Sequence, residues 1–125
     1  MNENEVFHAI GEDGFLRLTA AFYRQIPGDD ILGPMYAGRN LTDAEQRLRD
    51  FLIFRFGGPE RYIENRGHPR LRMRHGPFAV NQAARDRWML LMDNALAEVG
   101  LPPEPAHVLR EFFASTATFL VNRPG

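Results

Sequence analysis

Residues 66–78 contain the side chains of this chain that are best suited to chemistry. His68 and His75 lie here, and His75 stands between Met73 and Phe78 in a segment rich in arginine. Imidazole can ligate haem iron, apolar side chains pack against a porphyrin, and arginine pairs with carboxylates. The segment therefore suits a flat apolar ligand that bears carboxylates, and iron protoporphyrin is such a ligand.

A cationic loop of this kind also suits RNA or phosphate, and the residue pattern leaves that alternative open. The whole chain carries fifteen arginines, no lysine and sixteen acidic residues, which gives a formal charge of −1. Its total charge does not predict attraction to nucleic acid or to an anionic membrane, and we expect neither as a partner. The other histidines, His8 and His107, lie in polar surroundings where solvated or capping roles explain them.

The composition narrows the class of protein. The chain has no cysteine, which excludes disulfides, thiolate metal sites and thiol nucleophiles. Its 125 residues, 44% hydrophobic and 25% charged, predict one globular domain that spans residues 1–125. The acidic N-terminus and the lack of a long apolar run predict a cytoplasmic protein.

Apolar residues at spacings of three and four predict that helices position these groups. The first helix is expected from Gly14 to Ile26, where the Pro-Gly pair that follows ends it. A single turn is expected from Asp29 to Gly33, capped by Asp29 or Asp30, and Pro34 should prevent its continuation.

The next helix is predicted to begin at Thr42 as the N-cap, with Glu45 completing a capping box, and to stop at 57–59. Residues 59–77 are expected to form a loop with short helical pieces at most. Two long helices should follow, from Asn81 to Val99 and from Pro105 to Val121. No window alternates with a period of two, so the predicted class is all-α.

Several strings of residues carry a family resemblance. They are Gly57-Gly58-Pro59, Tyr62, the run from Arg66 to Phe78, and Arg85-Asp86-Arg87-Trp88. With these strings the chain resembles the group II truncated haemoglobins, the oxygen-avid class, over nearly its whole length. The resemblance implies a single truncated-globin domain, a two-over-two helical sandwich around haem b (iron protoporphyrin IX). The chain departs from the family's paired glycines at Gly11-Glu12-Asp13-Gly14, where two acidic residues separate them.

The resemblance also implies an iron site. It makes His75 the proximal iron ligand and places Tyr23, Tyr36 and Trp88 on the distal side. Taken alone, an aromatic residue at helical spacing is usually core packing. In the implied site, however, the O–H and N–H groups of these residues would donate to the negative charge that dioxygen acquires on ferrous iron, and oxygen release would be slow.

The remaining implied residues shape the pocket. Where oxygen-storage globins carry a distal histidine, this chain has Ala44, with Leu48 one turn further, so the sixth iron site stays open to gases. Ala44 could equally be a packing residue near the helix start. The candidate partners of the haem propionates, each of which could equally be solvated, are Arg47, Tyr62, His68 and Arg72.

Three functions follow from this pattern and remain open at the level of sequence. The first is a haem protein that uses dioxygen chemically, as a nitric oxide dioxygenase or in peroxidase-like turnover, with an unidentified reductase as electron source. The second is a non-catalytic sensor or reservoir for dioxygen, nitric oxide or carbon monoxide. The third is a haem-free helical module that binds an anionic partner. The sequence also leaves open a homodimer.

Overall fold

The computed structural model of the protein describes residues 1–60 and 80–124, and the regular secondary structure within these ranges is all helical, without strands. Two short 3₁₀ turns, Glu3–Glu5 and Ile26–Gly28, flank the first helix. No helix in the described ranges is long and apolar enough to cross a membrane. The helices are α1 (Val6–Arg24), α2 (Leu32–Met35), α3 (Leu41–Arg55), α4 (Gln82–Val99) and α5 (Pro103–Phe119).

Helix α1 begins earlier than the sequence predicts and contains a kink. Gly11 has φ 68° and ψ 177°, a conformation outside the helical region that glycine adopts without a Cβ penalty. The predicted start near Gly14 is therefore close to the beginning of the helical piece that follows the kink, whereas the helical residues before Gly11 were not predicted. The predicted apolar stripe is confirmed, because Phe15, Leu18 and Phe22 are fully buried.

Helix α2 corrects the predicted turn from Asp29 to Gly33, because the helix begins at Leu32 and continues through Pro34 to Met35. Pro34 lies inside the four-residue helix. The first N–H groups of a helix have no intrahelical acceptor, so the missing N–H of proline costs nothing there. The capping role of Asp29 is confirmed, because its Oδ2 accepts from the backbone N–H groups of Ile31 (3.0 Å) and Leu32 (2.7 Å).

Helix α3 begins one residue after Asn40, whose side-chain oxygen accepts from the backbone N–H of Asp43 at 3.0 Å. The predicted N-cap, Thr42, lies within the first turn instead. Asn caps helices at least as well as Thr. With the cap at Asn40, the helix also includes Leu41 and Thr42, which a cap at Thr42 would leave out. The predicted stop is close to the observed one, because Phe56 is the C-cap.

The end of α3 packs against the start of α1. The backbone N–H of Phe7 donates to the carbonyl of Phe56 at 3.0 Å. Gly57 has φ 95°, and a Cβ at this position would lie 2.1 Å from the carbonyl oxygen of Asn4. The two segments can therefore approach this closely only if residue 57 has no side chain.

Gly57→Ala is expected to lower the free energy of unfolding by about 2 to 4 kcal/mol, the combined cost of a left-handed alanine and an overpacked contact. Urea unfolding followed by circular dichroism measures the loss. Gly100→Ala is the matched control, because Gly100 also has a positive φ (66°) but its Cβ would meet nothing within 4 Å. Equal losses in the two variants would contradict the contact with Asn4.

Helices α4 and α5 complete the described core. Asn81 caps α4 by accepting from the N–H of Ala84 at 2.9 Å. The helix ends at Val99, as the sequence predicts, and Gly100 follows it in the left-handed conformation. Helix α1 packs against both α3 and α4, so its apolar residues form the centre of the core. One side of the molecule therefore carries the end of α1, the start of α3 and the first turns of α4.

Candidate functional site

Two of the predicted distal residues, Tyr23 and Tyr36, contact each other. Tyr23 lies near the end of α1 and is only 8% exposed, whereas Tyr36 is the half-buried C-cap of α2. Their rings meet edge to face with centroids 6.0 Å apart. Their hydroxyl groups are hydrogen-bonded to each other, with Tyr23 as the donor.

The environment keeps both phenols protonated. Burial, followed by the neighbouring Tyr36 and its hydrogen bond, raises the pKa of Tyr23 well above its ordinary value. Burial also raises the pKa of Tyr36, although the hydrogen bond from Tyr23 opposes that rise. A protonated phenol at this depth is a hydrogen-bond donor and not a base at neutral pH.

Trp88 lies in the second turn of α4 and is half-buried. Its indole packs on Phe22 with centroids 5.0 Å apart and on Phe113 with centroids 5.5 Å apart. Phe22 also contacts the ring of Tyr23 at 5.1 Å, so one buried ring separates the indole from the tyrosine pair. Among residues 1–60 and 80–124, nothing accepts a hydrogen bond from the indole N–H.

Ala44 and Leu48 lie one turn apart on α3, and both pack against the core while remaining partly exposed. Arg47 lies between them in sequence, is exposed and pairs with Asp43 at 2.6 Å. Its charge acts on the Tyr23 hydroxyl, whose pKa it lowers slightly against the larger effects of burial and of Tyr36. The described site therefore joins four helices, α1, α2, α3 and α4.

Four predicted site residues, Tyr62, His68, Arg72 and His75, lie outside the described residues. The iron ligand and most of the propionate partners thus remain predictions from the sequence. The expected loop over residues 59–77 falls almost entirely in the same part of the chain.

The structure adds a group that sequence reasoning did not assign to the site. Arg87 Nη1 donates at 2.6 Å to Oδ1 of Asp29 and at 2.6 Å to Oδ1 of Asp30. These residues are 58 and 57 positions away, and no local pattern pairs them. Charge counting identifies Arg87 only as one arginine among fifteen.

The carboxyl of Asp29 makes this region sensitive to acid. Burial alone would raise its pKa, but the N–H of Leu32, the guanidinium of Arg87 and the N–H of Ile31 together lower it below the ordinary value. Above about pH 5 the carboxyl is ionised in both folded and unfolded states, and these contacts contribute fully to stability. The contribution is lost as the pH falls through the lowered, folded-state pKa.

We expect Asp29→Asn to be less stable than the wild type at neutral pH, and the gap to close in acid. Urea unfolding at a series of pH values from 7 to 2.5 checks this. Asp93→Asn is the control, because Asp93 forms an exposed pair with Arg110. A gap that stays constant down to the lowest pH would show that ionisation of Asp29 does not stabilise the fold.

Comparison with known proteins gives consistent results. Residues 5–122 match the family model described as bacterial-like globin. The group 2 truncated haemoglobin YjbI of Bacillus subtilis (strain 168) is 34% identical over 120 residues, which are 96% of this chain and 90% of that protein.

Solved structures resemble the chain equally well. A thermostable haemoglobin from the actinobacterium Thermobifida fusca superimposes with a TM-score of 0.91 at 42% identity, covering 96% of this chain and 98% of that one. A truncated oxygen-avid haemoglobin from Bacillus subtilis gives a TM-score of 0.89 at 34% identity, covering 94% and 98%. The arrangement of the described helices is thus that of the truncated haemoglobins.

Proposed function

We propose a function from the premise that this chain belongs to the bacterial-like globin family and is a group 2 truncated haemoglobin. Membership in the family establishes haem-based binding of oxygen and sets aside the haem-free alternative. Beyond that, we propose that this protein holds oxygen with high affinity and releases it slowly.

The observation that carries this proposal is the pair of donors Tyr36 and Trp88, together with Tyr23, whose hydroxyl donates to Tyr36 and holds it in place. Both phenols stay protonated, and the indole N–H lacks an acceptor in the described part of the chain. A half-buried indole N–H on one side of Phe22 and a phenol pair on its other side, with Tyr23 buried and Tyr36 half-buried, suit a small ligand that develops negative charge. Dioxygen does so on ferrous haem, and each donor to a charged ligand contributes about 1.5 to 3 kcal/mol.

The described residues fit a haem. The walls of a ligand pocket are apolar or aromatic side chains that pack on the core but remain partly exposed. Four described residues have these properties: Tyr36, Ala44, Leu48 and Trp88. Bound haem supplies an iron atom that coordinates a diatomic gas. We propose haem b, with His75 as its ligand from the protein.

Ala44 and the propionate partners have separate proposed roles. The methyl group of Ala44 cannot coordinate iron, so it leaves the gas site open and the route past it unobstructed. We propose Arg47, Tyr62, His68 and Arg72 as partners of the propionates. Arg47 would have to exchange its contact with Asp43 for a propionate, and this is feasible because both side chains are about half exposed.

The proposal is tested in two steps. The purified protein, loaded with hemin and reduced, should show an intense Soret band that shifts on exposure to oxygen and to carbon monoxide. Displacement of oxygen by carbon monoxide in a stopped-flow instrument should then give a slow oxygen dissociation rate. Rapid release, comparable with that of a variant lacking the donors, would contradict slow release as the working property.

Whether the oxygenated protein also performs chemistry is a separate question. If the protein is a dioxygenase, a supplied reductant should return the iron to the ferrous state after each reaction, and many equivalents of nitric oxide should be converted to nitrate per chain. At most one equivalent of nitrate per chain under the same conditions would favour a sensor or reservoir. Both outcomes are compatible with the donor set, so this experiment decides between the two.

A further inference from the structure

Arg87 holds the segment before α2 with one nitrogen. Its Nη1 contacts Oδ1 of both Asp29 and Asp30, while its side chain is 28% exposed. The side chain of Asp29 is only 7% exposed, whereas that of Asp30 is 82% exposed. Contacts between exposed charges contribute little, so the contact with the buried Asp29 is the important one.

The carboxylate of Asp29 uses both oxygens. While Oδ1 accepts from Arg87, Oδ2 accepts from the backbone N–H groups of Ile31 and Leu32. This single side chain therefore joins α4 to the N-terminus of α2. A helix of four residues cannot hold its position by its own hydrogen bonds, so its placement depends on such contacts.

From Leu32 the connection continues to the proposed gas site. The backbone N–H of Tyr36 donates to the carbonyls of Leu32 (3.3 Å) and Gly33 (3.1 Å), so one helical turn separates the phenol from the capped end. The Tyr36 hydroxyl in turn accepts from Tyr23. A shift of α2 would therefore move the Tyr36 hydroxyl relative to Tyr23.

Arg87 also precedes Trp88 directly on α4. One turn of α4 thus carries both side chains. The Trp88 indole packs on Phe22 and Phe113, and Arg87 holds the segment that leads to Tyr36. We infer that Arg87 is a positioning residue that, through Asp29 and α2, fixes the position of the Tyr36 hydroxyl relative to the Trp88 indole and so slows the release of bound gas. This inference rests on the proposed function.

The principal test compares matched variants of the haem-loaded protein. Arg87→Met keeps the aliphatic stem and removes the donor, and it should speed oxygen dissociation on the order of threefold to tenfold, as expected for a remote coupled residue. Arg87→Lys should restore a rate close to the wild type, because one nitrogen makes both contacts and no planar fork is needed. The control is Arg110→Met. It removes an exposed ion pair between Arg110 of α5 and Asp93 of α4, the helix that also carries Arg87.

A second readout does not depend on gas binding. Hydrogen exchange of the Leu32 and Tyr36 backbone N–H groups should accelerate in Arg87→Met, with or without haem, and stay unchanged in Arg110→Met. Exchange and gas release that are both unchanged in Arg87→Met would overturn the inference. So would equal effects in the Arg110→Met control, because the effect would then be a general loss of stability.

A double-mutant cycle tests the route through Tyr36. In a Tyr36→Phe background, Arg87→Met should change oxygen dissociation little, because the hydroxyl that it positions is already absent. An undiminished effect would show that Arg87 acts by another route and would overturn the assignment.

Failure of the inference and failure of the proposed function are distinguishable. A wild-type protein that takes up haem but releases oxygen rapidly would contradict the proposed function, and the positioning role would fall with it. A wild type with slow release and an Arg87→Met variant with the same slow release would overturn the inference alone.

Discussion

Trp88→Phe is expected to speed oxygen release from the haem-loaded protein by roughly tenfold to a hundredfold. The variant keeps a ring to pack on Phe22 and Phe113 but removes the only polar hydrogen of the side chain. The lost hydrogen bond to a charged ligand corresponds to about 1.5 to 3 kcal/mol, and each 1.4 kcal/mol is a factor of ten. Stopped-flow displacement of oxygen by carbon monoxide measures the rate.

Two controls make this result specific. Bound carbon monoxide carries little charge, so its own dissociation should change far less than that of oxygen. Leu90→Ala changes a residue on the same helix that is 52% exposed and should leave oxygen release unaltered. An oxygen dissociation rate in Trp88→Phe equal to the wild-type rate would remove the indole from the proposed site.

The tyrosines extend the same prediction. Tyr23→Phe should also speed oxygen release, because it removes the hydroxyl that donates to Tyr36 and holds the Tyr36 hydroxyl in place. The effects of Tyr23→Phe and Tyr36→Phe should not add, since the two hydroxyls are hydrogen-bonded to each other. Simple additivity in the double variant would show that the two phenols act independently.

The second large effect concerns haem retention. His75→Ala is expected to lose most of its haem, because the proposed bond from imidazole to iron is the strongest single contact between protein and cofactor. The haem content per chain after gel filtration measures the loss, and circular dichroism shows whether the chain stays helical. Added free imidazole should restore part of the haem binding by entering the space that the side chain leaves.

The other histidines supply the comparison. His8→Ala changes an exposed residue on α1 and should keep full haem content, and His68→Ala should lose much less haem than His75→Ala. Full haem stoichiometry in the His75→Ala variant would show that another group binds the iron and would refute the proposed ligand.

Helices were the features best predicted from the sequence. The periodic apolar residues of α1 are buried as expected, and the predicted end of α4 at Val99 is confirmed. The errors occur at helix starts, where more than one residue of the sequence is suited to be the N-cap. Thr42 and Asn40 both suit an N-cap, and the pattern of Thr with Glu favoured the wrong one.

The site was predicted unevenly. The family resemblance indicated Tyr23, Tyr36 and Trp88, although their spacing alone is that of core residues. The hydrogen bond between the two phenols and the raised pKa of each depend on how α1 and α2 meet. No property of either residue's neighbours along the chain predicts that contact.

The sequence by itself determined the helical class, most helix ends and the family, because helical hydrogen bonds and caps join residues at most a few positions apart. Only the tertiary structure decided that Arg87 binds Asp29 across 58 residues, that two phenols share a hydrogen bond and that the indole of Trp88 packs on Phe22. Those contacts arise from the way in which separate helices pack, and helix packing follows from the shape of whole apolar faces rather than from any short pattern of residues.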